Sequence, residues 1–294
     1  AVNSFIDRSA DENDKLPDNL KSRISIVKFA GDKTDKIGND TYREGRYTYN
    51  YTQIVSNYKA YTSDDKSELQ NKVNALQPAG ATAADYAMDF TQKLVKQSKD
   101  DQAENSERKN VKRIVIFFTD GQPNHHSGFD DTVANNAINS AKAIKKDAAI
   151  YTIGVFADAD AGVTGHTGWG EWSAKEMFNA YMHGMSSNYP DAEKYNKLGT
   201  RAKNGSGEDT QYYKAATDAA DLNSIFTEIG DEIISSAQSP THVDQGEDPS
   251  QAGYITITDQ LGDYMQVDDL NTLLYADQML TSRTQGYSRT ETTA

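Results

Sequence analysis

The segment VKRIVIFFTDGQP, residues 111–123, decides the fold. Residues 114–118 form an unbroken apolar run, with Lys112 and Arg113 before it and Thr119-Asp120-Gly121 after it. A run bounded in this way reads as a strand buried on both faces, the middle of a parallel sheet. Asp120 sits where the strand runs out, and Gly121 and Pro123 turn the chain away. Open α/β sheets place their ligands at the carboxyl ends of such strands, which makes Asp120 the first candidate functional residue.

Downstream, residues 131–146 carry Val133, Ala137, Ile138, Ala141 and Ile144 at helical spacing, and AAIYTIGVF (148–156) is the next buried strand. Strand, helix and strand at this length make a right-handed crossover between parallel strands. Upstream, AGATAADYAMDFTQKLV (79–95) pairs a turn-permitting Gly80 with Thr82 as a helix cap, and Tyr86, Met88, Phe90, Leu94 and Val95 line the inner side of that helix. A helix before it, capped by Ser63 and stopped by Pro78, buries Leu69, Val73 and Leu76. RISIVKF (23–29) is a second buried strand, followed by a polar excursion (31–46) and a tyrosine- and threonine-rich, half-exposed edge strand within 47–61. Val2, Phe5 and Ile6 have helical spacing from the outset, so the chain is expected to be a fragment that opens partway through an amphipathic helix.

The charged residues 96–110 read as a surface connector. Residues 157–209, rich in Gly, Asp and Ala, with Trp169, Trp172 and one helix at 173–183, read as an insertion near the ligand end of the sheet. A short strand (212–215) and a helix (218–235) close an α/β domain spanning 1–236. Residues 237–252 are a linker, and 253–294 alternate in the β manner as the start of a separate all-β module.

Composition narrows the function. With 30 basic against 44 acidic residues the net charge is -14, which argues against nucleic acid or an anionic membrane as partner and favours cations. Cysteine is absent, so disulfides and thiolate metal sites are excluded. That suits a cytosolic protein or the cysteine-poor surface proteins of some bacteria, and 17 tyrosines lean towards the latter. No apolar run approaches the roughly 20 residues of a membrane span.

GAT at 80–82 opening a helix, IVIFFTDG at 114–121 and IYTIGVF at 150–156 together resemble a von Willebrand factor type A (vWA) domain. The resemblance covers 1–236, with 157–209 as an extension. It implies an α/β fold, a doubly wound, mainly parallel sheet flanked by helices. More narrowly, TDGQPNHHSGFDD, FNAYMHGMSSNYPDA and ITDQLGDYMQVDDL are similar to phrases in the vWA-bearing pilus-tip adhesins and cell-wall proteins of Gram-positive bacteria. That likeness implies an extracellular location on the wall or pilus, pilus or cell-wall subunits as assembly partners, a β-sandwich stalk after Gly253, and attachment to a host or extracellular-matrix protein.

The family holds Mg²⁺ or Mn²⁺ in a site called MIDAS, built from a DxSxS sequence at the end of the first strand, a loop threonine and a later aspartate. Thr82 and Asp120 match the second and third. Their oxygens are the hard donors such ions prefer, and the site tolerates an incoming carboxylate from a partner. DxSxS is absent. The family places that strand at the centre of the sheet, so strands 24–29 and 114–118 are expected to lack their shared neighbour, showing a gap or a forced pairing. The ion site is expected to be incomplete and metal-free in this chain.

Each site residue also has a plainer reading. Asp120 suits an Asp-Gly turn, Thr82 a helix cap, and Asp85 the first turn of a helix, where an acid complements the dipole. His125-His126 reads as a solvated loop at the binding face, because adjacent histidines point apart and no third ligand lies at zinc spacing. Trp169 and Trp172 read either as contact residues or as plugs of the insertion. An enzyme is not expected: the DxD pair of haloacid dehalogenase-type phosphatases is replaced by Phe118-Thr119-Asp120, and GxSxG and the P-loop are absent. The alternative binding reading is an intracellular vWA scaffold that presents its metal site to a partner ATPase.

Overall fold

In the computed structural model the described residues are 1–105, 108, 111–238, 272–275 and 278–281. They fall into two units, Ala1–His242 and Val243–Ala294.

The first unit starts with α1 (Val2–Asn13), whose Ile6 and Ala10 are fully buried, and continues into β1 (Arg23–Lys28). A tyrosine-bearing hairpin follows, β2 (Thr41–Glu44) and β3 (Tyr47–Asn50), turned by Gly45 at φ 61°. It occupies part of what the sequence assigns to polar excursion and edge strand. β4 (Gln53–Ala60) then pairs antiparallel with β1. The helix α2 (Lys66–Asn74) is not capped by Ser63; its N-cap is Asp65, whose carboxylate accepts from the Thr62 backbone N–H at 2.8 Å.

α3 (Ala84–Glu104) runs well into the residues expected as a surface connector. The reason is local: Gln, Lys and Ala favour helix, and the Lys96–Asp100 ion pair at 2.6 Å spans one turn. Arg113 then donates to both the hydroxyl and the carbonyl of Ser98 at 3.0 Å, tying the helix to the strand that follows.

That strand is β5 (Ile114–Thr119), joined through α4 (Asp131–Ile144) to β6 (Ala149–Gly154), and later β7 (Tyr213–Ala215) completes a parallel sheet in the order β5-β6-β7. The Asp130 carboxylate caps α4, accepting from the Thr132 and Val133 N–H groups at 2.8 and 3.2 Å. Here the sequence reading needs correction. β6, not β5, is the middle strand: Ile150, Tyr151, Thr152 and Ile153 are all buried, whereas in β5 Phe118 is 42% exposed and Ile114, Val115 and Ile116 are only part-buried. A strand buried on both faces needs neighbours on both edges as well, and β5 has one.

No ladder among the described residues joins β1 to β5; each ends its own sheet. The expected gap is present, and side chains span it. Phe29 stacks on Phe117 with centroids 5.0 Å apart, and Val2 of α1 packs into both the cluster holding Ile24 and Ile26 and the one holding Ile114 and Ile116.

α5 (Ala174–Met185) and α6 (Ala219–Gln238) complete the unit. The 157–209 segment is not an appendage, because α5 buries Phe178, Tyr181, Met182 and Met185 in the main core alongside Phe117, Ile138 and Ile150. The Thr152 hydroxyl donates to the Met182 carbonyl at 3.0 Å, seating the helix directly on β6. Clusters on both sides of β5 and β6 make a helix–sheet–helix sandwich.

The second unit is described only as an antiparallel hairpin of β8 (Thr272–Tyr275) and β9 (Gln278–Thr281). The expected β residues 254–267 and the linker beyond Gln238 lie outside the described residues. Among the described residues no helix is long and apolar enough to cross a membrane.

Candidate functional site

Three loops meet at the carboxyl end of the strands. After β5, the Thr119 side chain folds the chain back on itself, its hydroxyl donating to the Gly121 carbonyl at 3.0 Å and lying 3.1 Å from the Gly121 N–H that it accepts. That local bond turns Asp120 out to solvent. Before α3, Gly80 adopts φ +128° and packs its Cα against the Ala30 side chain and the Gly31 nitrogen of the loop after β1. The Ala83 N–H donates to the Ala30 carbonyl at 2.9 Å.

The two loops that carry the candidate ligands are then joined directly. Thr82 and Asn124 exchange backbone hydrogen bonds at 3.1 and 3.0 Å, an isolated antiparallel bridge between residues 42 positions apart in sequence, counting 124 minus 82. Its effect is to bring the Thr82 hydroxyl onto the Cα of Gly121, where an added Cβ would meet Thr82 Oγ1 at 2.7 Å. The Thr82 hydroxyl thus lies against Gly121, the residue that follows Asp120 in the chain. Thr82 does not cap α3, whose N-cap is Ala83 with no side-chain cap, and neither its hydroxyl nor the Asp120 carboxylate bonds to another described residue.

The contact is testable. Gly121→Ala should destabilise the domain by about 1 kcal/mol by forcing Thr82 aside, and in a Thr82→Ala background the same change should cost almost nothing. A double-mutant cycle by thermal melting measures the difference; equal costs in both backgrounds would show that the Thr82 side chain does not rest on Gly121.

Beside these loops lie groups whose pairing no local pattern announces. Asp85 is 7% exposed and its carboxylate meets His125 Nε2 at 2.9 Å. The His125 ring lies on Tyr86 with centroids 4.6 Å apart, and the Lys33 ammonium sits 4.6 Å over the other ring of that stack, Tyr86. His125 is thus half-buried and paired, and only His126 is a solvated histidine. Tyr181 is fully buried, with its hydroxyl unpartnered among the described residues, and both burial and the Asp85 charge push its phenol well above the usual range.

As metal ligands, Thr82 and Asp120 fit in kind, one hydroxyl and one carboxylate oxygen for a hard cation. They do not fit in number. Among the described residues no group of three or more His, Asp or Glu could hold an ion, and Mg²⁺ gives up its waters only to a fuller set of donors.

The family model for the von Willebrand factor type A domain matches residues 5–228. The chain belongs to that family. Its vWA domain therefore has the expected α/β, Rossmann-like architecture, and the match runs through the 157–209 segment as well. No curated protein matches the chain. Among solved structures, the pilus adhesin SpaC from Lactobacillus rhamnosus GG, in its open conformation, is similar at 12% identity and a TM-score of 0.47, over 80% of this chain and 27% of that one. An uncharacterized membrane-spanning protein from Vibrio fischeri is similar at 16% identity and a TM-score of 0.20, over 78% and 79%. The chain thus spans about a quarter of the adhesin's length.

The two tryptophans of this vWA domain differ in burial. Trp172 is packed into the core cluster, stacking on His166 at 5.5 Å and meeting Tyr195 edge-on at 5.6 Å. Trp169 is fully exposed.

Proposed function

We propose that this vWA domain is a binding module, not an enzyme: part of an extracellular adhesin on a bacterial wall or pilus, attaching to a host or extracellular-matrix protein through a divalent-cation site. The observation that carries the reading is the Thr82–Asn124 bridge, which joins the two loops and rests the Thr82 hydroxyl on Gly121, next in the chain to Asp120. Thr82 and Asp120 would hold two positions of a Mg²⁺ or Mn²⁺ ion, and the ion would supply the charge that accepts an acidic side chain of the partner. The remaining protein donors would come from a DxSxS-type strand lying along the unpaired edges of β1 and β5. The likeness of TDGQPNHHSGFDD and FNAYMHGMSSNYPDA to pilus-tip and wall proteins favours this surface role over an intracellular scaffold serving a partner ATPase.

The test has two arms. Millimolar Mg²⁺ should leave the melting temperature of the 294-residue chain unchanged, and should raise it once a strand ending in DxSxS precedes Ala1. That extended chain should adhere to immobilised collagen, fibronectin or laminin, and EDTA or Asp120→Ala should weaken adhesion by about 100-fold. Adhesion indifferent to both treatments would overturn the reading.

A further inference from the structure

The loop that leaves the carboxyl end of β6, residues 157–173, stands beside the Asp120 loop, because β5 and β6 are parallel neighbours in register from Ile114↔Ala149 to Thr119↔Gly154. An aromatic line joins the two: Trp172 meets Tyr195, and Tyr195 meets Phe129 at 5.1 Å. The 157–173 loop is firmly held. Asn179, fully buried, accepts from the Asp160 N–H at 2.8 Å and donates to the Asp158 carbonyl at 2.9 Å. Further along, the Glu176 carboxylate accepts from the Ser173 and Thr167 N–H groups at 2.8 and 3.1 Å. Trp169 is presented on this clamped loop with its side chain wholly in water, next to Gly170 at φ +122°.

Charge on this rim is one-sided. Residues 120–131 and 157–173 contain no lysine or arginine, in a chain that has 30 of them, yet hold Asp120, Asp130, Asp131, Asp158, Asp160 and Glu171. Across the rest of the surface exposed acids commonly pair with Lys or Arg, as in Lys93–Asp35 and Lys214–Glu228, and on the rim itself Asp160 is paired with Lys175 at 3.1 Å. The Asp158 and Glu171 carboxylates have no ion pair or hydrogen bond to another described residue. An exposed indole on the same loop as two unpaired carboxylates is complementary to one side-chain class above others, the cations: guanidinium and ammonium groups stack on the indole face and pair with the acids.

We propose that Trp169, with the free carboxylates of Asp158 and Glu171, forms a docking surface for an arginine- or lysine-bearing segment of a partner protein. The indole is the anchor and the carboxylates set the partner's charge. This contact is separate from any ion at Asp120, and its test is therefore run in EDTA, so that either reading can fail alone.

The probe is a 12-residue peptide alternating arginine with glycine and serine, titrated calorimetrically against the full chain, beside a counterpart with glutamate for arginine. Trp169→Ala should weaken binding of the arginine peptide about tenfold, and Trp169→Phe should restore part of it, because the smaller ring attracts cations less. Asp158→Asn with Glu171→Gln should weaken it about fivefold, and raising salt from about 0.05 M to about 0.5 M should weaken the wild type similarly. All three variants should melt as the wild type does. The control is Asp18→Asn with Asp64→Asn, an equal charge change elsewhere, which should leave binding unaltered. Unchanged affinity in Trp169→Ala, an equal loss in the control, or equal binding of the glutamate peptide would each overturn the proposal.

Discussion

Ile150→Ala is expected to lower the unfolding free energy by about 4 kcal/mol, and Ile116→Ala by about half as much, although both replace isoleucine in adjacent strands of one sheet. Ile150 is wholly buried in the cluster shared with α4 and α5, and its strand β6 has a partner on either edge. Removing three carbons there leaves a cavity that fixed neighbours on all sides cannot fill. Ile116 sits in β5, whose second edge has no ladder, and it is already part-exposed, so less apolar surface is returned to water and the surroundings can close in. Urea denaturation of the two variants decides the matter. Equal losses would mean that β5 is as enclosed as β6 and that the gap beside it is closed in solution.

The second large effect is acid sensitivity from His183. This side chain is fully buried on α5, between the rings of Tyr189 and Tyr213 at 5.7 and 4.9 Å. Its Nε2 lies 3.0 Å from the Ala161 carbonyl and its Nδ1 lies 3.2 Å from the Asn188 side-chain nitrogen, an arrangement that suits a neutral ring donating at Nε2 and accepting at Nδ1. Burial, reinforced by the nearby Arg201 charge, pulls it down from 6.5 to about 4. Below pH 6.5 the unfolded chain takes up a proton that the folded chain refuses until about pH 4. The His183 contribution is therefore constant above pH 6.5, falls as the pH drops through that window, and levels off below it, with a total cost of about 3 kcal/mol. Equilibrium unfolding measured between pH 7 and pH 4.5, above the range where most carboxylates titrate, isolates the effect. His183→Gln should start less stable and show a flatter profile, and an unchanged slope in that variant would assign the acid sensitivity to other groups.

Much of the architecture was legible one element at a time. Val133, Ala137, Ile138, Ala141 and Ile144, spaced along one helical face, are all buried in α4. The apolar runs at 114–118 and 150–156 hold the strands β5 and β6, and these are parallel, as the intervening helix requires. Val2 and Ile6 do begin an amphipathic helix. Such features depend on the periodicity of neighbouring residues, which any short window contains.

Where the reading failed, distant residues decided. The absent DxSxS announced the missing ladder between β1 and β5, but the apolar run at 114–118, read alone as a middle strand, could not show that this gap leaves β6 at the centre, because centrality is a fact about pairing, not about composition. The charged residues 96–104 joined α3 since local helix preference won over the expectation of a connector, and α5 entered the core instead of an insertion because Tyr181 and Met182 met β6. Nothing in the chain's order could pair Asp85 with His125, 40 positions away.

What the sequence determined by itself is the kind of chemistry available: oxygen donors and no thiol, a strongly negative surface, and an aspartate released at the end of an apolar strand. Only the tertiary structure decided which residues join the loop that carries this aspartate to the loop before α3. The Thr82–Asn124 bridge depends on where the sheet sets down two separate loops, and a contact between residues far apart along the chain is selected by the packing of the elements between them, which no local pattern encodes.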